Sequence, residues 1–209
     1  MGPKPPRARP GADLFWAHVT AFGALWGSIE ITLGSFLHSL RLPFGGNLLA
    51  SLGAMLLVAA RQILPWRGAT LCTAIVAALC KSISPGGVIL GPMVAIATEG
   101  LLVELALLLA PRSRLSAVAA GSLCALWSTF QKVITQVVYY GAGVLSLYLA
   151  ALRRGRDWLG LPASAGWWAV VVILAVVLVL GGGAGLLGRR IGQRSREQLD
   201  GERGVALEA

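Results

Sequence analysis

Apolar runs recur along almost the whole chain, and most approach the length of about 20 residues that a helix needs to cross the hydrocarbon core of a bilayer. The first runs from about Leu14 to Leu37 and the second from Phe44 to Leu64, with the turn RLPFGG between them. The third, Ala69 to Ile83, is the shortest, which leaves room for a tilted or re-entrant segment; SPGG at Ser84 to Gly87 parts it from the fourth, Val88 to Ala110. After PRSR at Pro111 to Arg114 the chain stays apolar from Leu115 to Leu152, longer than one span requires. The glycines of Gly141 to Gly143 supply a break, so a fifth span is expected to end near Tyr140. The segment SLYLAALRRGRDW that follows has the aromatic and basic residues of the headgroup region. The sixth run, Trp167 to Leu187, opens on a Trp pair and is rich in Val and Leu.

The pattern predicts an all-α integral membrane protein, a bundle of about six transmembrane helices. Residues 1–13 form an N-terminal tail, 14–188 the transmembrane domain and 189–209 a polar C-terminal tail expected to be disordered. The opening MGPKPPRARPGAD is basic and Pro-rich, but no clean small-residue cleavage site follows it, so it is read as a cytoplasmic tail rather than a removed signal.

Composition agrees: of 209 residues 56% are apolar and 13% charged, more hydrophobic material than one soluble core can bury, with no stretch left for a soluble ATPase, kinase or oxidoreductase domain. The net charge of +9 could suggest nucleic acid, yet the basic residues flank the apolar runs, the placement of the positive-inside rule. With the N-terminus inside, twelve Lys and Arg lie on the inner side (Lys4, Arg7, Arg9, Arg61, Arg67, Arg112, Arg114, Arg189, Arg190, Arg194, Arg196 and Arg203). Five lie outside: Arg41, Lys81, Arg153, Arg154 and Arg156. Splitting the long fifth run into two spans narrows that margin, so six spans with both termini in the cytoplasm is the expected topology, in a cell membrane of bacterial inner-membrane type.

Ionisable groups inside a bilayer cost about 2.5 to 3.5 kcal/mol each on insertion scales, so each needs a partner or a purpose. Glu30, His38, Arg41, Lys81, Gln131, Lys132 and Gln136 all fall in the outer half, with Glu99 near the middle of the fourth span. One reading is a polar cavity open to the outside, with Glu30, His38, Lys81, Glu99, Gln131 and Lys132 binding a substrate. The other is that Glu30 or Glu99 pairs with Lys132 to hold helices together while Arg41 and Lys81 snorkel to the interface. Glu99 and Glu104 are five residues apart, about 140° around a helix, so one can face a cavity while the other faces a neighbour. A hydrolytic carboxylate pair is therefore not expected. His18 and His38 lie near opposite ends of one span, and Cys72, Cys80 and Cys124 form no C-x-x-C pair, so neither a metal nor another cofactor is expected.

Small residues are spaced for close helix approach: Ala17-x-x-x-Ala21 and Gly23-x-x-x-Gly27 in the first span, Ala50-x-x-x-Ala54 in the second. The glycines of GGGAG at Gly181 to Gly185 fit packing inside an apolar span. No phosphate loop, nucleophile elbow or H-E-x-x-H pair occurs, and the chain is not expected to be an enzyme.

Six short-looped spans, the Ala-x-x-x-Ala patch near the cytoplasmic end of the first, and polar residues gathered in the outer half resemble the substrate-binding S components of energy-coupling factor (ECF) vitamin transporters. GSIEITLGSFLHSLRLPFGGNLLASLGAMLL and KSISPGGVILGPMVAIATEGLLVEL also look like bacterial membrane proteins near that group. The resemblance, over roughly Leu14 to Leu187, is one of layout. It implies a subunit that binds a vitamin-like nutrient from outside and works with a transmembrane coupling subunit and an ATPase pair. On that footing Ala17 and Ala21 meet the coupling subunit, and Glu30, Glu99 and Lys132 help to bind substrate. The chain lacks the Met-His start of the nickel and cobalt type and the aromatic pattern of the thiamine or riboflavin type, so the resemblance names no substrate. A proton-coupled carrier in which Glu99 titrates, a lipid-modifying enzyme and a structural subunit without ligand are the competing readings.

Overall fold

The computed structural model describes residues 10–40, 44–64, 66–84, 90–108, 110–158, 160, 162 and 166–208. Among them the chain is all α, with seven helices: α1 (Pro10–Ser39), α2 (Gly45–Ile63), α3 (Ala69–Lys81), α4 (Leu90–Leu108), α5 (Arg114–Tyr140), α6 (Gly143–Trp158) and α7 (Gly166–Glu208). Four of them, α2, α4, α5 and the part of α7 within Val170–Gly201, are long and apolar enough to cross a membrane. α3 is apolar but only 13 residues long, about 20 Å at 1.5 Å per residue.

Side-chain and backbone approaches fix the relative directions. Gly23 and Gly27 of α1 lie against Val76 and Cys80 of α3, so α1 and α3 run parallel. Gly45 approaches Leu37 and Gly53 approaches Trp26, so α2 is antiparallel to α1. Gly91 of α4 faces Thr135 of α5, while Cys124 of α5 reaches the carbonyl of Glu99. Gly121 of α5 meets Gly181 and Gly185 of α7, and Gly188 and Gly192 of α7 meet Met55 and Ala59 of α2. Helices α1 to α5 and α7 therefore alternate in direction, and the start of α1 shares one end of the bundle with the far half of α7. That end is called the basal end below, and the end at Ser39 and Tyr140 the distal end.

α2 is the hub, packing on α1, α3, α4, α5 and α7. Its buried positions include Ala50, Ser51, Gly53, Ala54, Ala59 and Ala60, and such small side chains let several neighbours approach one helix closely. Where α5 crosses α7 the contact is backbone on backbone: a Cβ added at Gly121 would lie 1.9 Å from the Gly181 carbonyl oxygen, and one at Gly185 would lie 2.0 Å from that of Ala117. Of the GGGAG glycines, Gly181, Gly182 and Gly185 are thus packing residues, while Gly183 faces open space. Large apolar side chains point outward on every peripheral helix, among them Leu79, Leu105, Phe130, Val138 and Val179, far more exposed apolar surface than a water-soluble monomer carries.

Two boundaries differ from the sequence expectation. Helix α1 opens at Pro10, before Leu14, with proline at the first helical position, where its missing N–H costs nothing. The 189–209 segment, expected to be disordered, continues α7 without a break to Glu208. No proline interrupts it, its Arg, Gln and Glu residues are good helix formers, and Arg196 pairs with Asp200 one turn on at 3.6 Å. The expected break after Tyr140 is present: Gly141 adopts φ +80°, a conformation that glycine takes freely, and α6 starts two residues later. Among the described residues helix α6 packs mainly on α5 and α7, and lightly.

Candidate functional site

Two sets of buried polar groups occupy the bundle, and their hydrogen bonding separates them. The basal set is engaged mainly with backbone, and Arg61 Nε is its one unpaired buried atom among the described residues. Glu104 of α4 accepts from the Gly68 N–H at 2.7 Å, from the Thr70 N–H at 3.2 Å and from the Thr70 hydroxyl. Gly68, at φ +82°, offers no side chain to cap α3, so a carboxylate from the neighbouring helix satisfies donors that an α-helix leaves free at its N-terminus and complements its dipole. Arg61 donates to the carbonyls of Leu64 (3.0 Å) and Trp66 (2.5 Å), Gln62 to that of Pro111 (2.8 Å), and Arg189 to that of Arg112 (2.9 Å). These side chains tie the basal loops and α7 together, and a structural role accounts for each bond.

The second set lies about midway and toward the distal end, where α1, α3, α4 and α5 are arranged around α2. Glu30 is on α1, one turn after Trp26 on the same face, and both are buried. Gly53 of α2 makes the slot for the indole: a Cβ there would sit 2.6 Å from the ring. Lys81, the last residue of α3, turns inward and donates to the Glu30 carbonyl at 2.8 Å. Its Nζ and the Glu30 Oε2 both lie within 4 Å of the Cβ position above Gly34, so the ammonium is an electrostatic neighbour of the Glu30 carboxylate without a direct ion pair.

Glu99 is 4% exposed, and Glu30 is its charged neighbour. Its Oε2 is sealed from solvent and accepts no hydrogen bond. The Cys124 thiol of α5 approaches the Glu99 backbone carbonyl at 3.5 Å. The Trp26 indole N–H, beside the Glu30 carboxylate, also lacks a hydrogen bond of proper geometry. Buried polar atoms are ordinarily paired, and an unpaired one costs about 1 to 3 kcal/mol. The sequence gives no hint of Gly53 as the indole's partner, but the Trp26-x-x-x-Glu30 spacing itself is visible.

On α5 the stripe Cys124, Trp127 and Gln131 continues toward the distal end. Gln131 donates to the Gly91 carbonyl at 2.8 Å, leaving its Oε1 unpaired, as is the buried Trp127 Nε1. Asn47 of α2 donates to the Ala125 carbonyl at 2.8 Å and to the Thr129 hydroxyl at 2.7 Å, and so fixes α5 against the hub.

Of the residues singled out from sequence, the structure gathers Glu30, Lys81 and Glu99, with Gln131 further toward the distal end. Lys132 does not join them: its side chain is exposed on the outer face of α5. Among the described residues neither Glu30 nor Glu99 forms a salt bridge, so the expected pairing of a glutamate with Lys132 is absent. One residue separates Lys132 from Gln131, and that 100° rotation carries it out of the bundle. Lys81, expected as a snorkelling alternative, points inward. The His38 side chain and all of Arg41 lie outside the described residues. Ala17 and Ala21 are exposed on the face of α1 away from the bundle, whereas Gly23 and Gly27 of the same helix are consumed by α3. Among the described residues no group of three His, Cys, Asp or Glu side chains is arranged to hold a metal ion. No family model, curated protein or solved structure matches this chain.

Proposed function

We propose that the chain is the solute-binding subunit of a membrane transport system, taking a small polar or vitamin-like nutrient into the Trp26, Glu30, Lys81, Glu99 cluster from the distal, outer side. The carrying observation is the Glu99 carboxylate, buried beside a second carboxylate with its Oε2 unpartnered, while Glu104 five residues away has every nearby donor it needs. A carboxylate retained solely for packing would be expected to have a partner. The alternating helix directions support six crossings, with α1 and α3 joining the four longer apolar helices, and the basic residues clustered at the basal end support a cytoplasmic assignment for both termini. The outward-facing Ala17 and Ala21 leave a shallow surface for a transmembrane coupling subunit, which an ATPase pair would drive, as the layout of ECF S components implies.

Affinity purification of the tagged chain from its native membrane, with mass spectrometry of proteins and small molecules, tests this reading. Co-purification of a coupling subunit with ATPases is expected, and Ala17→Trp should abolish it while leaving solute binding intact. The same unpartnered Glu99 favours a second reading, a self-sufficient proton-coupled carrier. Solute uptake by the purified chain alone in vesicles, driven by a pH gradient and lost in Glu99→Gln, would select the carrier over the subunit.

A further inference from the structure

We infer that the group the cluster accepts is a protonated amine or amidine bearing N–H donors, so that the solute belongs to the class of small organic cations or zwitterions. The inference rests on the proposed solute-binding role and adds the chemistry of the ligand. The cluster holds two carboxylates, Glu30 and Glu99, against one ammonium, and Lys81 directs its hydrogen bond at the Glu30 backbone carbonyl rather than at either carboxylate. Two acceptors are left unfilled, Glu99 Oε2 and, further along the same inner surface, Gln131 Oε1, beside the unpaired indole N–H donors of Trp26 and Trp127. An entering group that donates hydrogen bonds and carries positive charge meets both deficits, and charge-assisted hydrogen bonds are the stronger kind.

A bare metal ion fits less well. Its coordination sphere needs several oxygens, whereas among the described residues no group of three His, Cys, Asp or Glu side chains is arranged to hold one, and the Trp26 indole N–H lies beside the Glu30 carboxylate. An anion would meet two carboxylates. Water can satisfy one acceptor and one donor but brings no positive charge to the two neighbouring carboxyl groups. Glu99 lies nine residues into α4 from Leu90, about 13 Å of helix, so a free solute rather than a lipid headgroup is the source of the amine.

The test uses the full chain in nanodiscs of phosphatidylcholine and phosphatidylglycerol, titrated at millimolar concentration with ethanolamine, choline, ethylene glycol, acetate or sodium chloride. Choline keeps the charge of ethanolamine but lacks N–H donors, and ethylene glycol lacks the charge. Two quantities are read: the melting temperature, and protection of Glu99 from dicyclohexylcarbodiimide by peptide mass spectrometry. Ethanolamine is expected to raise the melting temperature and protect Glu99, with choline, glycol, acetate and sodium ineffective; Glu99→Gln should weaken ethanolamine binding at least tenfold. Glu30→Gln is the second variant, expected to weaken it as well should Glu99→Gln fold poorly. Added phosphatidylethanolamine that protects Glu99 where free ethanolamine does not would assign the site to a lipid and overturn the inference. Equal effects of choline and ethanolamine, or a glycol, acetate or sodium response lost in Glu99→Gln, would overturn the amine chemistry while leaving the solute-binding reading in place. No response to any probe, with no molecule co-purifying from the native membrane, would overturn both.

Discussion

The two buried glutamates of α4 should respond to mutation in opposite ways. Glu104→Ala removes the side-chain cap of α3 and leaves the N–H groups of part-buried Gly68 and buried Thr70 without acceptors. Two orphaned donors at about 1 to 3 kcal/mol each, with about 0.3 to 1 kcal/mol of lost helix-dipole complement, give a destabilisation of about 2 to 7 kcal/mol. Glu104→Gln keeps one side-chain oxygen as acceptor and should lose about half of that. Glu99→Gln removes no hydrogen bond made by Oε2, and it relieves whatever charge the bilayer penalises, so stability should be unchanged or higher. The assay is reversible unfolding in mixed micelles by titrated dodecyl sulfate, followed by circular dichroism, with solute binding measured on the same preparations. Glu104 variants should be unstable but competent to bind below their transition, and Glu99→Gln stable but incompetent. If both Glu104 variants lie within about 0.5 kcal/mol of wild type, the range of ordinary surface changes, the capping role is wrong. If Glu99→Gln is the more destabilising, Glu99 is structural.

Gly121→Val should prevent α5 from seating on α7, because its Cβ would meet the Gly181 carbonyl at 1.9 Å; the expected loss is more than the 1 to 3 kcal/mol or so typical of overpacking, read as failure to elute as a monodisperse species. Gly183→Ala, one of the same glycines but with nothing within 4 Å of its Cβ position, should elute as wild type does. Lys132→Met should leave solute binding unchanged, since Lys132 faces outward; a tenfold loss would return it to the site.

Depth along each helix was legible in the sequence, but direction around the helix was not. The apolar runs located the helices, and Gly141 marked the end of α5. In a soluble helix the polar face announces which side is buried. Against lipid the outer face is as apolar as the inner one, so α4, where Leu101 and Leu105 are exposed and Val103 and Leu107 buried, carries no such contrast. Gln131 and Lys132 are neighbours of similar depth, and nothing in their spacing tells which faces inward. The 140° between Glu99 and Glu104 did indicate different surroundings, but the partner of Glu104 is the backbone of another helix, for which side-chain identities give no signal. Trp26 was legible only as an apolar residue, since its slot depends on Gly53 from α2. The continuation of α7 was missed because polarity was read as disorder, although Arg, Gln and Glu also make good helix.

The most direct test of the central claim, that Glu99 belongs to a solute site rather than to the packing, is native mass spectrometry of the chain released from gently purified native membrane. A small-molecule adduct is expected on the wild-type chain and on Lys132→Met, and is expected to be absent from Glu99→Gln folded to the same monodisperse species. An adduct of equal occupancy on Glu99→Gln, or none on the wild type, would contradict the claim.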